Sequence, residues 1–191
     1  MKIILASCSP RRKELLSLMG LNFEIIKPIN EEDMNIKTNF KKLSEILSKQ
    51  KAEEVFNKTT GNRVVIGSDC MVYINKTLLG KPKSKTEAFK MLSILSGKTH
   101  KVVTGLCVLV EKDGEKREYL ANDVSKVTFK KLEKEEIEKY LEFDEYKDKA
   151  GSYAVQGRSN VFIKKINGSF NTVIGLPTHI LYEILKKEKI M

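Results

Sequence analysis

The chain predicts an α/β fold, a twisted mixed β-sheet flanked by helices and split into two lobes around a cleft. Three observations carry this. Short apolar runs alternate with helix-period segments from the first residues onward, the arrangement of a sheet with crossover helices. Residues 64–66, Val-Val-Ile, are a continuous apolar run of the kind buried on both faces. Residues 101–111 and 116–129 are long strand-like runs about an Asp113-Gly114 turn, and such a hairpin makes the sheet mixed. The 191 residues hold no internal repeat, low-complexity run or linker, so 1–191 reads as one domain able to bury a sizeable core.

The elements follow in order. Residues 2–6 are a short apolar strand. Residues 10–19 are a helix with Leu15, Leu16 and Met19 on one side, closed by Gly20. Residues 23–26 make a second strand, Pro28 breaks it, and residues 30–39 are polar and irregular. A helix over 40–56 takes its apolar face from Leu43, Ile46 and Leu47. The strand at 64–66 ends at Gly67-Ser68-Asp69, and residues 71–74 extend it or pair as a hairpin. Helices are expected at 86–95, stopped by Gly97, and at 133–143. Residues 146–160 have neither period and are long for a connection, which favours a functional role. Residues 161–166 and 171–174 read as a last hairpin around Asn167-Gly168, and 177–187 as the final helix.

Composition narrows the function classes. Hydrophobic residues are 41% and charged ones 31%, a globular balance rather than a disordered one. No run approaches the roughly 20 apolar residues of a membrane helix, and no signal-peptide pattern opens the chain, so a cytoplasmic protein with no membrane partner is expected. Three cysteines without a C-x-x-C pair argue against a disulfide framework and a zinc knuckle. The net charge of +10 raises nucleic acid as a partner. Lysines are nevertheless interleaved with acids, aromatics are only 7%, and no stripe of stacking rings accompanies the basic residues, which makes that partner unlikely.

The most informative segment is Leu5-Ala6-Ser7-Cys8-Ser9-Pro10-Arg11-Arg12. Ser9 is a good N-cap and Pro10 a good first helical residue, so Arg11, Arg12 and Lys13 fill the first turn. Cations there oppose the helix dipole, and an anion would offset the cost. Free amides, a hydroxyl cap and arginine forks at the carboxyl end of a strand are the parts of a phosphate site, although a solvated basic face would use the same residues. Asp69 follows a buried strand, where a carboxylate can hold a divalent metal or take a proton from attacking water; a turn cap is the plainer reading. Lys81 in Gly80-Lys81-Pro82 is presented on a stiff backbone beside a permissive glycine. Glu31, Glu32 and Asp33 are an oxygen-rich cluster suited to Mg2+ or Mn2+ rather than zinc, or a solvated charge run. In Asp148-Lys149-Ala150-Gly151 small residues let the backbone close on a ligand beside opposite charges, and Gln156 offers the donor and acceptor that reading a pyrimidine edge requires. Two lookalikes fail. Ser96-Gly97-Lys98-Thr99 lacks the first glycine of a Walker loop, and His100 and His179 have no neighbour at metal-ligand spacing.

The opening segment resembles the signature of the Maf family of nucleotide pyrophosphatases. Gly67-Ser68-Asp69 with Gly80-Lys81-Pro82, Leu95 to His100, Asp148 to Gly151 with Val155-Gln156-Gly157, Asn167-Gly168-Ser169 and Gly175-Leu176-Pro177 match it in the same order. The resemblance implies a metal-dependent enzyme that cuts a nucleoside triphosphate between the α and β phosphates, with a Maf/ITPase-like fold and a homodimer as the associated assembly. It implies Asp69 as proton acceptor, Glu32 as the acidic metal residue beside it, and Lys51 and Lys81 with Ser9, Arg11, Arg12 and Lys149 on the phosphates. Arg11 after Ser9-Pro10, with Gln156 in Val-Gln-Gly, resembles the branch acting on dTTP and UTP, a pool-cleaning activity that extends to modified pyrimidine triphosphates. Cys70 departs from that branch's usual threonine, which touches base choice. The rival expectation is a nucleotide- or nucleic-acid-binding regulator of cell division or septum formation with weak or no catalysis.

Overall fold

The computed structural model describes residues 1–30 and 36–191. In chain order the elements are β1 (Lys2–Leu5), α1 (Pro10–Leu18), β2 (Glu24–Ile25), α2 (Phe40–Asn57), β3 (Arg63–Ile74), β4 (Thr77–Leu79), α3 (Lys85–Leu95), β5 (Thr99–Lys112), β6 (Glu115–Phe129), α4 (Lys134–Tyr140), β7 (Ile163–Asn167), α5 (Phe170–Ile174) and α6 (Thr178–Lys187). The strands form a seven-stranded sheet in the order β2-β1-β3-β5-β6-β7, with β4 paired to β3. Parallel pairing of β1 with β2 and β3 and antiparallel pairing of β3 with β4 and of β6 with β7 make it mixed, as expected. The chain divides into two compact units, matching the expected two lobes, and β3, β5 and β6 contribute to both. No helix among the described residues is long and apolar enough to cross a membrane.

The first unit comprises Met1–Asp69, Thr104–Asp123 and Gly175–Met191. On one sheet face α2 buries Ala52, Val55 and Phe56 against Ile4, Val65, Cys107 and Leu109. Two glycines set the closeness of that packing. A Cβ at Gly67 would lie 2.3 Å from the Ser48 carbonyl oxygen, and one at Gly105 would lie 2.1 Å from that of Ser44, so only glycine lets the helix backbone approach β3 and β5 this far. Asn39 caps α2 by accepting the Lys42 amide, and Ser9 caps α1 as predicted by accepting that of Arg12.

The second unit comprises Cys70–Val103 and Val124–Ile174. Its core gathers Val72, Ile74, Leu92, Leu95, Val102, Val127, Phe129, Tyr140, Tyr153 and Phe162. The β3–β4 hairpin turns through Asn75 and Lys76, both at positive φ, and Ser84 caps α3.

Three boundaries differ from the sequence reading. The strand at 64–66 does not end at Gly67-Ser68-Asp69; β3 runs on to Ile74, so Asp69 lies inside the strand and residues 71–74 both extend it and form the hairpin. Residues 171–174 are not a strand: α5 begins just before them, with Ser169 Oγ accepting the Thr172 amide at 3.4 Å. The helix expected over 133–143 ends at Tyr140 and finishes as a 3-10 turn, Leu141–Phe143, followed by Asp144 at φ 54.

Candidate functional site

In the first unit, β1 delivers the chain to the start of α1, and four groups there are joined by hydrogen bonds. Ser7 is buried, and its Oγ accepts both the Ser9 amide and Arg12 Nη1–H, each at 3.1 Å. Arg12 Nε donates to the Gly175 carbonyl at 2.8 Å. The guanidinium therefore has a fixed plane rather than a free swing, and the α1 first turn, with no acidic residue in it, keeps its positive end. Arg11 is half-buried in the same turn.

Asp69 stands on the α2 side of β3. Its Oδ1 accepts a hydrogen bond from Lys51 Nζ at 2.6 Å, and the two side chains are only 9% and 14% exposed. The sequence singled out these two residues separately, and the fold brings them together. Alternation along the strand sends the preceding Ser68 to the opposite face, where its hydroxyl lies 2.8 Å from the Gly105 carbonyl and 2.9 Å from that of Gly175.

In the second unit, the Gly80 carbonyl accepts the Gly151 amide at 3.1 Å, which ties the Gly80-Lys81-Pro82 loop to the Lys149 segment. Gly151 takes φ +69, and a Cβ there would meet Val72 at 3.0 Å. Lys81 is exposed after β4, Lys149 Nζ donates to the Lys147 carbonyl at 3.2 Å, and Gln156 is exposed between two 3-10 turns. Cys70, next along the strand from Asp69, packs against this unit's core with Sγ 4.0 Å from the Thr172 carbonyl.

Glu32 lies outside the described residues. The chain just before it is anchored: Glu54 accepts the Ile29 and Asn30 amides at 2.7 and 3.0 Å and pairs with Lys58 at 2.6 Å. These donors, Lys58 first, hold the Glu54 carboxyl down at about 2. Among the described residues no three His, Cys, Asp or Glu side chains group to hold a metal. A lone carboxylate still suits Mg2+, which binds through one or two carboxylates plus substrate phosphates rather than an all-protein cage.

The two histidines lie in different surroundings. His179 is on the surface, 3.9 Å from Asp123. His100 is buried, with Nε2 2.8 Å from Tyr153 Oη and Nδ1 without a partner, and burial pushes its pKa down to about 4. The sequence reading gave no individual role to Ser7, Ser68 or the Gly175 carbonyl. Their only signal was membership of the segments quoted from the family signature.

Comparison with known proteins extends this geometry. A family model described as Maf-like protein matches residues 2–188. Curated relatives named dTTP/UTP pyrophosphatase include those of Alkaliphilus oremlandii, 42% identical over 97% of this chain and 95% of the relative, and Lachnoclostridium phytofermentans, 43% identical over 97% and 94%. A third, from Thermoanaerobacter sp. strain X514, is 44% identical over 98% of this chain and 97% of its own.

Proposed function

The chain belongs to the Maf-like protein family, and from that premise we propose that it is a nucleoside triphosphate pyrophosphatase hydrolysing dTTP and UTP to the monophosphate and pyrophosphate. The observation that supports this most is the nearly buried Lys51–Asp69 pair in the same unit as the Arg12 fork. A protein that only bound nucleotides would need the cations but not a carboxylate held in place.

In this reading Arg11, Arg12 and the α1 N-terminus take phosphate oxygens, with Ser9 shaping the turn. Asp69 accepts a proton from water as its oxygen bonds to the α phosphorus. The bond from that phosphorus to the bridging oxygen breaks, and pyrophosphate leaves with the electron pair. Lys51 orients Asp69 and adds positive charge where negative charge develops. Lys81 and Lys149 act on the leaving phosphates, and Gln156 reads the base. Asp69 and Glu32 are the residues to hold a divalent cation, Mg2+ or Mn2+, which supplies charge neutralisation on the phosphates when bound. We read residues 1–191 as one catalytic domain.

The test is incubation of the purified protein with dTTP, UTP, CTP, GTP and 7-methyl-GTP, with magnesium or manganese, followed by chromatography of the products. Monophosphate and pyrophosphate from dTTP or UTP are expected. Release of single phosphates, or no turnover of any of the five, overturns the reading.

A further inference from the structure

We propose that Ser68 is a positioning residue for the phosphate fork, acting on Arg12 through the carbonyl of Gly175. This rests on the function proposed above and gives a role to the Gly175-Leu176-Pro177 segment, which that function leaves without one. The Gly175 oxygen is a shared acceptor, taking Arg12 Nε at 2.8 Å on one side and the Ser68 hydroxyl at 2.9 Å on the other. Ser68 is fully buried, and its one proton is divided between this carbonyl and that of Gly105 on β5. Gly175 is itself buried at φ +120, a backbone state open to glycine, and its carbonyl is held toward both donors.

The rest of the chain of contacts runs outward. Arg12 Nη1 donates to Ser7 Oγ, and the same oxygen takes the Ser9 amide at the start of α1. Of the five guanidinium N–H donors, two are thus committed to the fold, and the remaining three are presented in a fixed plane for an anion. Ser68 and Asp69 are consecutive on β3 and point to opposite faces, so one dipeptide registers both the fork and the carboxylate to the same strand. Preorganisation of this kind acts on binding, whereas the Lys51–Asp69 pair is untouched by loss of the Ser68 hydroxyl.

The experiment is a double-mutant cycle on tripolyphosphate affinity by calorimetry and on dTTP turnover, using wild type, Ser68→Ala, Arg12→Ala and the pair. Ser68→Cys, which keeps the side-chain shape with a larger atom and a weak donor, serves as the second single variant should the alanine fail to fold. Expected are about tenfold weaker tripolyphosphate binding and a similar rise in KM for Ser68→Ala and Ser68→Cys, with kcat within about threefold of wild type. In the Arg12→Ala background the Ser68 change has no further effect. An equal loss in both backgrounds makes Ser68 a packing residue only, and unchanged affinity in both single variants removes its role; either result overturns the proposal. Absence of dTTP turnover by the wild type overturns the function instead, while the tripolyphosphate cycle still decides the role of Ser68.

Discussion

The two units bury polarity in different ways. In the first, a set of interior polar groups is joined together, Ser7 with Arg12, Arg12 and Ser68 with Gly175, and Asp69 with Lys51, while Nε of buried Arg63 has no partner among the described residues. The serines of α2 under the glycine contacts are satisfied by their own helix, Ser44 by the Lys41 carbonyl and Ser48 by that of Glu45. The second unit is built around edge-to-face rings, with His100 against Phe129 and Tyr153, and Phe162 against Phe129 and Tyr140. Its candidate residues Lys81, Lys149 and Gln156 sit on connections outside that core. Groups on strands and helices are held to a stricter geometry than groups on loops. The first unit should therefore carry the chemical step together with the phosphate fork, and the second should contribute to binding and choice of substrate without sharing in that step.

The strongest way to break that contrast is at Asp69. Asp69→Asn keeps the side-chain volume and a hydrogen-bonding oxygen for Lys51, and a general base is worth about 10²–10⁴ in rate. A loss of kcat in that range is expected, together with a lower melting temperature, because the charge facing Lys51 is removed in a nearly buried site. Full turnover by this variant would remove the carboxylate from the chemistry. Steady-state kinetics beside a thermal melt separates the outcomes.

The next largest effect belongs to the second unit's core and concerns stability. An unfolded histidine takes its proton near 6.5, whereas buried His100 resists until about 4. Between those values the unfolded chain binds more protons than the folded one, so lowering the pH favours unfolding. The contribution is complete above 6.5, is lost on descending toward 4, and amounts to about 3 kcal/mol. His100→Gln keeps a partner for Tyr153 Oη and does not titrate. Urea unfolding at about pH 7 and about pH 4.5 should show a smaller acid loss in that variant. An identical loss in both proteins would place the acid sensitivity elsewhere.

How far the sequence revealed these arrangements depended on how local they were. Ser9, Pro10 and the first turn of α1 were legible because capping involves a few consecutive residues. The Lys51–Asp69 contact was not, since it joins a helix face to a strand through a packing that Gly67 and Gly105 permit, and Gly67 in Gly-Ser-Asp looks like a turn. The turn-like tripeptide hides the run of β3 through Asp69, although residues 71–74 are readable as its extension. In the same way Asn167-Gly168 reads as a hairpin turn that makes 171–174 a strand, but Ser169 Oγ accepts the Thr172 amide and the segment forms the five-residue α5. Gly175 was visible only as part of a motif, because its function lies in its carbonyl rather than in a side chain.

Lys81 tests the loop side of the contrast. It is exposed and carries charge without a buried partner geometry, so Lys81→Ala should raise KM for dTTP about tenfold while kcat falls less than in Asp69→Asn. A fall in kcat equal to that of Asp69→Asn at unchanged KM would mean that the loop shares the chemical step, and the division between units would fail.

The smallest expected effect concerns base choice, at the position where the chain departs from the pyrimidine branch. Cys70 packs against the second unit's core, with its sulfur a long 4.0 Å from the Thr172 carbonyl. A threonine hydroxyl there would meet that same carbonyl as a stronger donor, a change in packing and hydrogen bonding within the unit. Gln156, by contrast, is exposed on its loop with both donor and acceptor to offer. Cys70→Thr should therefore leave the ratio of kcat/KM for dTTP over UTP within about threefold of wild type, whereas Gln156→Ala should lower both values and bring them closer to the value for GTP. If Cys70→Thr shifts the ratio more than Gln156→Ala does, the strand residue beside Asp69 reads the base, and specificity belongs to the element that also carries the proposed general base.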